Sequence, residues 1–174
     1  FDHELHPTVE GAAGGLLVVG DGFGLAEADG FETRGVDATF VGHPAIDRLA
    51  RAQLDPALGE TLRAPLVGIF PGSRAQEIRA HLPLLLEAGA RMAASERGLR
   101  FAIPYPGEDA LLFERIRESV ARSGLEYRTA VLRGHAYDVM RRSRVALVSS
   151  GTATLELAVV GVPMVILYRT GRLA

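Results

Sequence analysis

The feature that most constrains this chain is an alternation, regular from Val36 onward, of short apolar runs with longer amphipathic segments. βαβ units produce this pattern, because each strand is followed by a helix that returns the chain to start a parallel neighbour. The runs expected as strands are Leu66–Phe70, Leu99–Ile103, Glu126–Leu132, Val145–Val148 and Met164–Tyr168. Most are almost continuously apolar, as strands covered by helices on both faces should be. Between them the expected helices are Ala75–Arg97, Asp109–Arg122, Ala136–Arg142 and Thr152–Val160. The first places Ile78, Leu82, Leu85, Leu86, Gly89 and Met92 on one face, with Pro83 as a candidate kink. The second carries Leu112, Ile116 and Val120 as a stripe, and Gly124 stands where a C-cap glycine would. The expected class is therefore α/β, a doubly wound Rossmann-like parallel sheet of about five strands, with ligands outside the carboxyl ends of the strands.

Composition narrows the alternatives. A chain of 174 residues that is 48% hydrophobic and 23% charged can bury one substantial core, so one domain with an appendage is expected. Its net charge of -2 excludes an overwhelmingly basic nucleic-acid binder, and no nucleic-acid partner is expected. There is no cysteine, hence no disulfide and no thiolate nucleophile or ligand. His43, His81 and His135 are scattered without metal-ligand spacing, so no metal is expected. The apolar run Ala158–Leu167 is interrupted by Gly161 and Pro163 and falls short of the roughly 20 residues that span a bilayer. Residues 1–36 are dense in glycine, with one short apolar run at Leu16–Val19, and read as a weakly structured or remnant segment. The domain is expected over 37–174, entered through Thr39–Pro44 and a helical stretch from Ala45 to Gln53. Arg141, Arg142 and Arg144 form a basic cluster that reads as a solvated helix end or as a contact for anionic headgroups.

Two strand-to-helix loops carry the chemistry. In Phe70-Pro71-Gly72-Ser73-Arg74, Gly72 permits close backbone approach, and the amides at the start of the following helix can face an anion. A capping box between Ser73 and Gln76 accounts for Ser73 without any ligand, but leaves Arg74 unexplained. In Ser149-Ser150-Gly151-Thr152-Ala153-Thr154-Leu155-Glu156, hydroxyls and amides at a helix start again suit phosphate oxygens. Glu156 fits no capping-box register and lies one turn inside, where an acceptor-only carboxylate can meet a ribose diol; the competing reading is an acid favoured by the helix dipole. Neither loop is a Walker P-loop or a Gly-x-Gly-x-x-Gly turn, and Gly20–Gly24 imitates the latter only superficially. Pro104–Gly107 and Gly134–Tyr137 fall at the same sheet edge and read as turns that can frame a base.

Val41-Gly42-His43-Pro44 with Asp47, Pro71–Arg74 with Glu77, Ser150–Glu156, and Pro163-Met164-Val165 followed by Tyr168-Arg169 resemble, in order and spacing, segments of the lipid-A-disaccharide synthase family. The resemblance implies the carboxy-terminal, nucleotide-binding domain of a GT-B glycosyltransferase working by inversion with neither cofactor nor metal. Its donor would be UDP-2,3-diacylglucosamine and its acceptor 2,3-diacylglucosamine 1-phosphate. The acceptor and the general base belong to an amino-terminal domain expected ahead of Gly42-His43-Pro44, and residues 1–30 do not match it. By the same resemblance Arg74 stabilises the leaving UDP, with Gly72 and Ser73 in its turn; Ser150, Gly151, Thr152, Ala153 and Thr154 face the diphosphate. Glu156 takes the ribose, and His135 and Tyr137 lie near the uracil. A cytoplasmic protein, peripheral on the inner face of the bacterial inner membrane, is the implied setting. The alternatives are another UDP-sugar enzyme of GT-B form, such as the N-acetylglucosamine transferase of peptidoglycan synthesis or a UDP-sugar 2-epimerase, or a non-catalytic nucleotide-binding module.

Overall fold

The computed structural model describes residues 15–18, 37–40 and 44–168, in two compact units, Phe1–Arg51 and Ala52–Ala174. In the first unit β1 (Gly15–Val18) falls on the short apolar run and pairs in parallel with β2 (Asp37–Phe40). Helix α1 (Pro44–Arg51) follows, opening on a proline, a residue suited to a helix start because its missing N–H has no intrahelical acceptor there. It buries Ala45 and Leu49, four residues apart on one face. The Gly20–Gly24 segment, Val41–His43 and Arg169 lie outside the described residues.

The second unit is a five-stranded, all-parallel sheet. Its strands are β3 (Leu66–Phe70), β4 (Arg100–Tyr105), β5 (Thr129–Arg133), β6 (Val145–Ser149) and β7 (Met164–Leu167), in the spatial order β5-β4-β3-β6-β7. The connecting helices are α2 (Ala75–Ser95), α3 (Ala110–Arg122), α4 (Ala136–Arg142) and α5 (Thr152–Val160). One core layer joins Ile78, Leu82, Leu85 and Leu86 of α2 and Leu112, Ile116 and Val120 of α3 to Val67, Ile69, Phe101 and Ile103 of the sheet. The other joins Val139 and Met140 of α4 and Leu157 of α5 to Leu66, Phe70, Ala146 and Val148. Helices thus cover both faces, and the central strand β3 is buried along its whole length. Gly89 explains how close α2 comes to the sheet, since a Cβ there would stand 3.2 Å from both Phe101 and Leu125 side-chain carbons. Among the described residues no helix is long and apolar enough to cross a membrane.

Several boundaries differ from expectation for identifiable reasons. Glu126–Arg128 is a 3-10 turn rather than the start of β5. Gly124 takes the left-handed φ of +77° beyond α3, and buried Leu125 anchors the turn, so pairing begins only at Thr129. Pro104 and Tyr105 lie inside β4 and not in a loop. Pairing of β4 with β3 stops at Ala102 while pairing with β5 runs to Tyr105, so the missing N–H of Pro104 falls where one flank is unpaired. Helix α2 continues through Pro83 as one element. Strand β7 is an edge, and Val165 and Ile166 are exposed, unlike the doubly covered interior strands.

Candidate functional site

The strand order reverses between β3 and β6. They are hydrogen-bonded neighbours, with Phe70 opposite Val148, yet the chain leaves β3 for α2 on one face and leaves β6 for α5 on the other. The loops Pro71–Arg74 and Ser150–Gly151 therefore diverge from adjacent strand ends, and this topological switch point is where open α/β sheets hold ligands.

In the first loop Gly72 has φ +109°, a left-handed conformation that glycine adopts without cost. The turn is closed by Glu77. Its Oε2 accepts the amides of Ser73 at 3.0 Å and Arg74 at 3.2 Å, and its Oε1 accepts from the Arg74 guanidinium at 3.3 Å. Arg74, not Ser73, is the N-cap residue. The expected box between Ser73 and Gln76 is thus displaced by one residue, because the helix starts at Ala75 and position N3 is Glu77. A Cβ on Gly72 would meet the Glu77 Oε2 and Cβ at 2.5 and 2.7 Å, so the glycine is required by that carboxylate. The Arg74 side chain is 84% exposed, its guanidinium reaching solvent beside Glu77.

The second loop is held differently. The Ser150 amide donates to the Leu167 carbonyl at 3.3 Å, which ties the loop to β7. Thr154 donates its amide and its hydroxyl to the Gly151 carbonyl, at 3.0 and 2.6 Å. The amides of Gly151, Thr152 and Ala153 donate to no group among the described residues. Glu156, half-buried one turn further, accepts a hydrogen bond from the Tyr137 hydroxyl at 3.0 Å. Tyr137 therefore has its phenol on a carboxylate.

His135 adopts the left-handed region at φ 57° and begins α4. Its Nδ1 lies 3.4 Å from Asp138 Oδ2, and the other oxygen of that buried carboxylate accepts the Asp55 amide at 2.8 Å. Arg142 turns in to the Asp55 carbonyl at 3.4 Å, so it is partly withdrawn from the basic cluster. Arg144 follows at the amino end of β6, the opposite edge of the sheet from the loops. The Gly134 amide donates to the Tyr105 carbonyl at 2.8 Å, which ties the loop after β5 to the end of β4, and Tyr105 itself is buried core.

The structure thus brings Tyr137 to Glu156, Arg74 to Glu77 and His135 to Asp138. The roles of Asp138 and Asp55 were not visible in the sequence, and Glu77 was singled out only as part of the Pro71–Arg74 motif. Glu77 had a detectable signal, an acid three residues after an arginine at a helix start, whereas Asp138 reads alone as a dipole-favoured acid.

The fold matches solved structures over most of this chain. An S. aureus MnaA–UDP complex superposes with a TM-score of 0.62 at 15% identity, covering 83% of this chain and 41% of that one. Trehalose-6-phosphate synthase, OtsA, superposes with a TM-score of 0.51 at 15% identity, covering 76% and 37%. The class is that of a Rossmann-like α/β domain of GT-B type. A profile of the family described as lipid-A-disaccharide synthetase matches residues 26–174, through both loops. Lipid-A-disaccharide synthase from Geobacter metallireducens is 39% identical over 142 residues, 79% of this chain and 36% of the relative. The enzyme of that name from Thiobacillus denitrificans is 38% identical over 149 residues, 80% and 37%. The chain belongs to the lipid-A-disaccharide synthase family, and spans a little over a third of the length of these relatives.

Proposed function

We propose that this chain is the donor-binding half of a glycosyltransferase that moves 2,3-diacylglucosamine from its UDP derivative to 2,3-diacylglucosamine 1-phosphate, giving lipid A disaccharide and UDP. Family membership supports the reaction. The observation that carries the site is the second loop, where three turn amides without an acceptor among the described residues stand one turn before the Glu156 carboxylate. A nucleoside diphosphate needs that pairing: N–H donors for phosphate oxygens and an acceptor-only group for the ribose hydroxyls.

Ser150, Gly151, Thr152, Ala153 and Thr154 then surround the diphosphate, Glu156 binds the ribose, and His135 and Tyr137 stand towards the base. Arg74, carried by the Gly72-Ser73 turn at the neighbouring strand end, meets the charge that develops on UDP as the glycosidic bond breaks, a preorganised electrostatic role. Neither metal nor cofactor is required in this scheme. Acceptor binding and removal of the acceptor proton are assigned to the part of the longer family proteins that lies outside this chain. Peripheral contact with the cytoplasmic face of the inner membrane follows from the acylated substrates.

Calorimetry tests the reading. UDP should bind in the presence of a chelator and in preference to ADP; equal affinity for ADP, or a strict need for magnesium, overturns it. The chain alone should release no UDP from acylated donor and acceptor, because positioning of the second reactant accounts for about 7–11 kcal/mol of such a barrier. Adding the amino-terminal part of a family member should restore some release. Robust turnover by the chain alone would place the base in this half.

A further inference from the structure

A glutamate side chain has three rotatable bonds, and on an open helix turn it samples many arrangements, each to be given up when a ligand binds. Glu156 is restrained by a residue 19 positions away on another helix, through the 3.0 Å bond from the Tyr137 hydroxyl to its Oε1. The Tyr137 ring packs against the core layer formed by Val139, Met140 and Leu157, so the phenol oxygen is carried by an anchored ring and not by a free side chain. At neutral pH a phenol is the donor and a carboxylate only accepts, which fixes the direction of the bond. Glu156 Oε2 makes no further hydrogen bond among the described residues. One carboxylate oxygen is held and its partner is left to accept.

The geometry points to Tyr137 as a positioning residue for ribose recognition: its phenol holds the Glu156 carboxylate so that Oε2 meets a vicinal diol already oriented. The inference rests on the proposed role of Glu156. It moves the main task of Tyr137 from the base to the sugar, and predicts that nucleotide selectivity for the 2′ and 3′ hydroxyls depends on a residue that need not touch them.

The test is Tyr137→Phe, which keeps the ring and its packing and removes only the hydroxyl. UDP and 2′,3′-dideoxyuridine diphosphate are titrated calorimetrically into the wild-type chain, Tyr137→Phe, Glu156→Gln and the double variant, with thermal midpoints recorded. UDP affinity should fall roughly three- to tenfold in Tyr137→Phe, the scale of one ordinary hydrogen bond and less than the loss of the carboxylate itself, with dideoxy affinity unchanged. The double variant should bind UDP no more weakly than Glu156→Gln alone. An equal loss for both nucleotides, or a loss that adds fully to that of Glu156→Gln, makes the bond a tie between α4 and α5 and overturns the inference. A wild-type chain that binds UDP and its dideoxy analogue equally removes the ribose role of Glu156 itself. A wild-type preference for UDP that survives Tyr137→Phe intact removes only the role of Tyr137.

Discussion

The two loops at the switch point differ in how many of their backbone amides are already bonded. In the loop after β3, Glu77 takes the Ser73 and Arg74 amides and the Arg74 guanidinium, so these donors are satisfied from within, and the Ala75 and Gln76 amides of the helix start lack an acceptor among the described residues. In the loop after β6, the amides of Gly151, Thr152 and Ala153 are left without acceptors among the described residues, and the nearest acid, Glu156, is turned to Tyr137. An anion arriving at the first loop must compete with a carboxylate already there; at the second it completes the bonding. On the proposed reading, two glycine-bearing turns with similar sequence character divide the labour, one holding the nucleotide and the other a cation beside it.

The largest effect is expected from Arg74→Ala in a complete enzyme carrying this domain. Turnover should fall by about a hundredfold or more, as when one preorganised charge stabiliser is lost. Donor affinity should change much less, since the interaction belongs mainly to the transition state. A raised Michaelis constant with normal turnover would put Arg74 among the binding residues and erase the proposed division. Next comes Glu156→Gln, which should weaken UDP binding about tenfold or more, the equivalent of about 1.5–3 kcal/mol for a charge-assisted bond. Pyrophosphate, having no ribose, should bind almost as before. An unchanged UDP dissociation constant would return Glu156 to a helix-dipole role.

The glycines separate the loops by stability rather than by rate. Gly72→Ala places a Cβ against Glu77 at a φ of +109°, and should cost about 1–3 kcal/mol, read as a lowered unfolding midpoint. Gly151 has φ 160°, an extended conformation open to any residue, and a Cβ added there would find nothing within 4 Å. Gly151→Ala should therefore leave stability within about 0.5 kcal/mol while reducing UDP affinity several-fold, because a methyl sits where phosphate meets the backbone. Equal destabilisation in both variants would mean that the second turn is as self-contained as the first.

What was legible from sequence followed the range of the interaction. Periodicity is local, and it placed α4 and α5 to the residue and identified the buried faces of α2 and α3, with Ile78, Leu82 and Ile116 inside. Strand ends depend on partners distant in sequence, so the shift of β5 to Thr129 and the inclusion of Pro104 in β4 could not be read from the runs alone. In the site, the motif segments were visible because glycine and hydroxyl residues cluster at helix starts. The bonds between them were not, because Tyr137 to Glu156 and Asp138 to Asp55 join residues on different elements. The capping register failed by one residue, since the composition of Ser73–Glu77 permits either start and the turn at Gly72 decides between them.

The smallest and most discriminating effect is that of Glu77→Gln. The amide keeps one oxygen able to accept from the Ser73 or Arg74 N–H, so the turn and the helix start should survive with only a slight fall in the unfolding midpoint. What is lost is the negative charge 3.3 Å from the Arg74 guanidinium. Because Arg74 is 84% and Glu77 34% exposed at the side chain, solvent screens the pair, and its loss should amount to about 0.2–1 kcal/mol. If Glu77 competes with incoming phosphate, removing its charge should tighten pyrophosphate and UDP binding by about 1.5- to 5-fold at low salt. That gain should vanish near 1 M salt, where the screening length shrinks to about 3 Å. Weaker binding in Glu77→Gln would show the reverse, that the carboxylate aims the guanidinium at the nucleotide, and the first loop would then belong to the binding site as fully as the second.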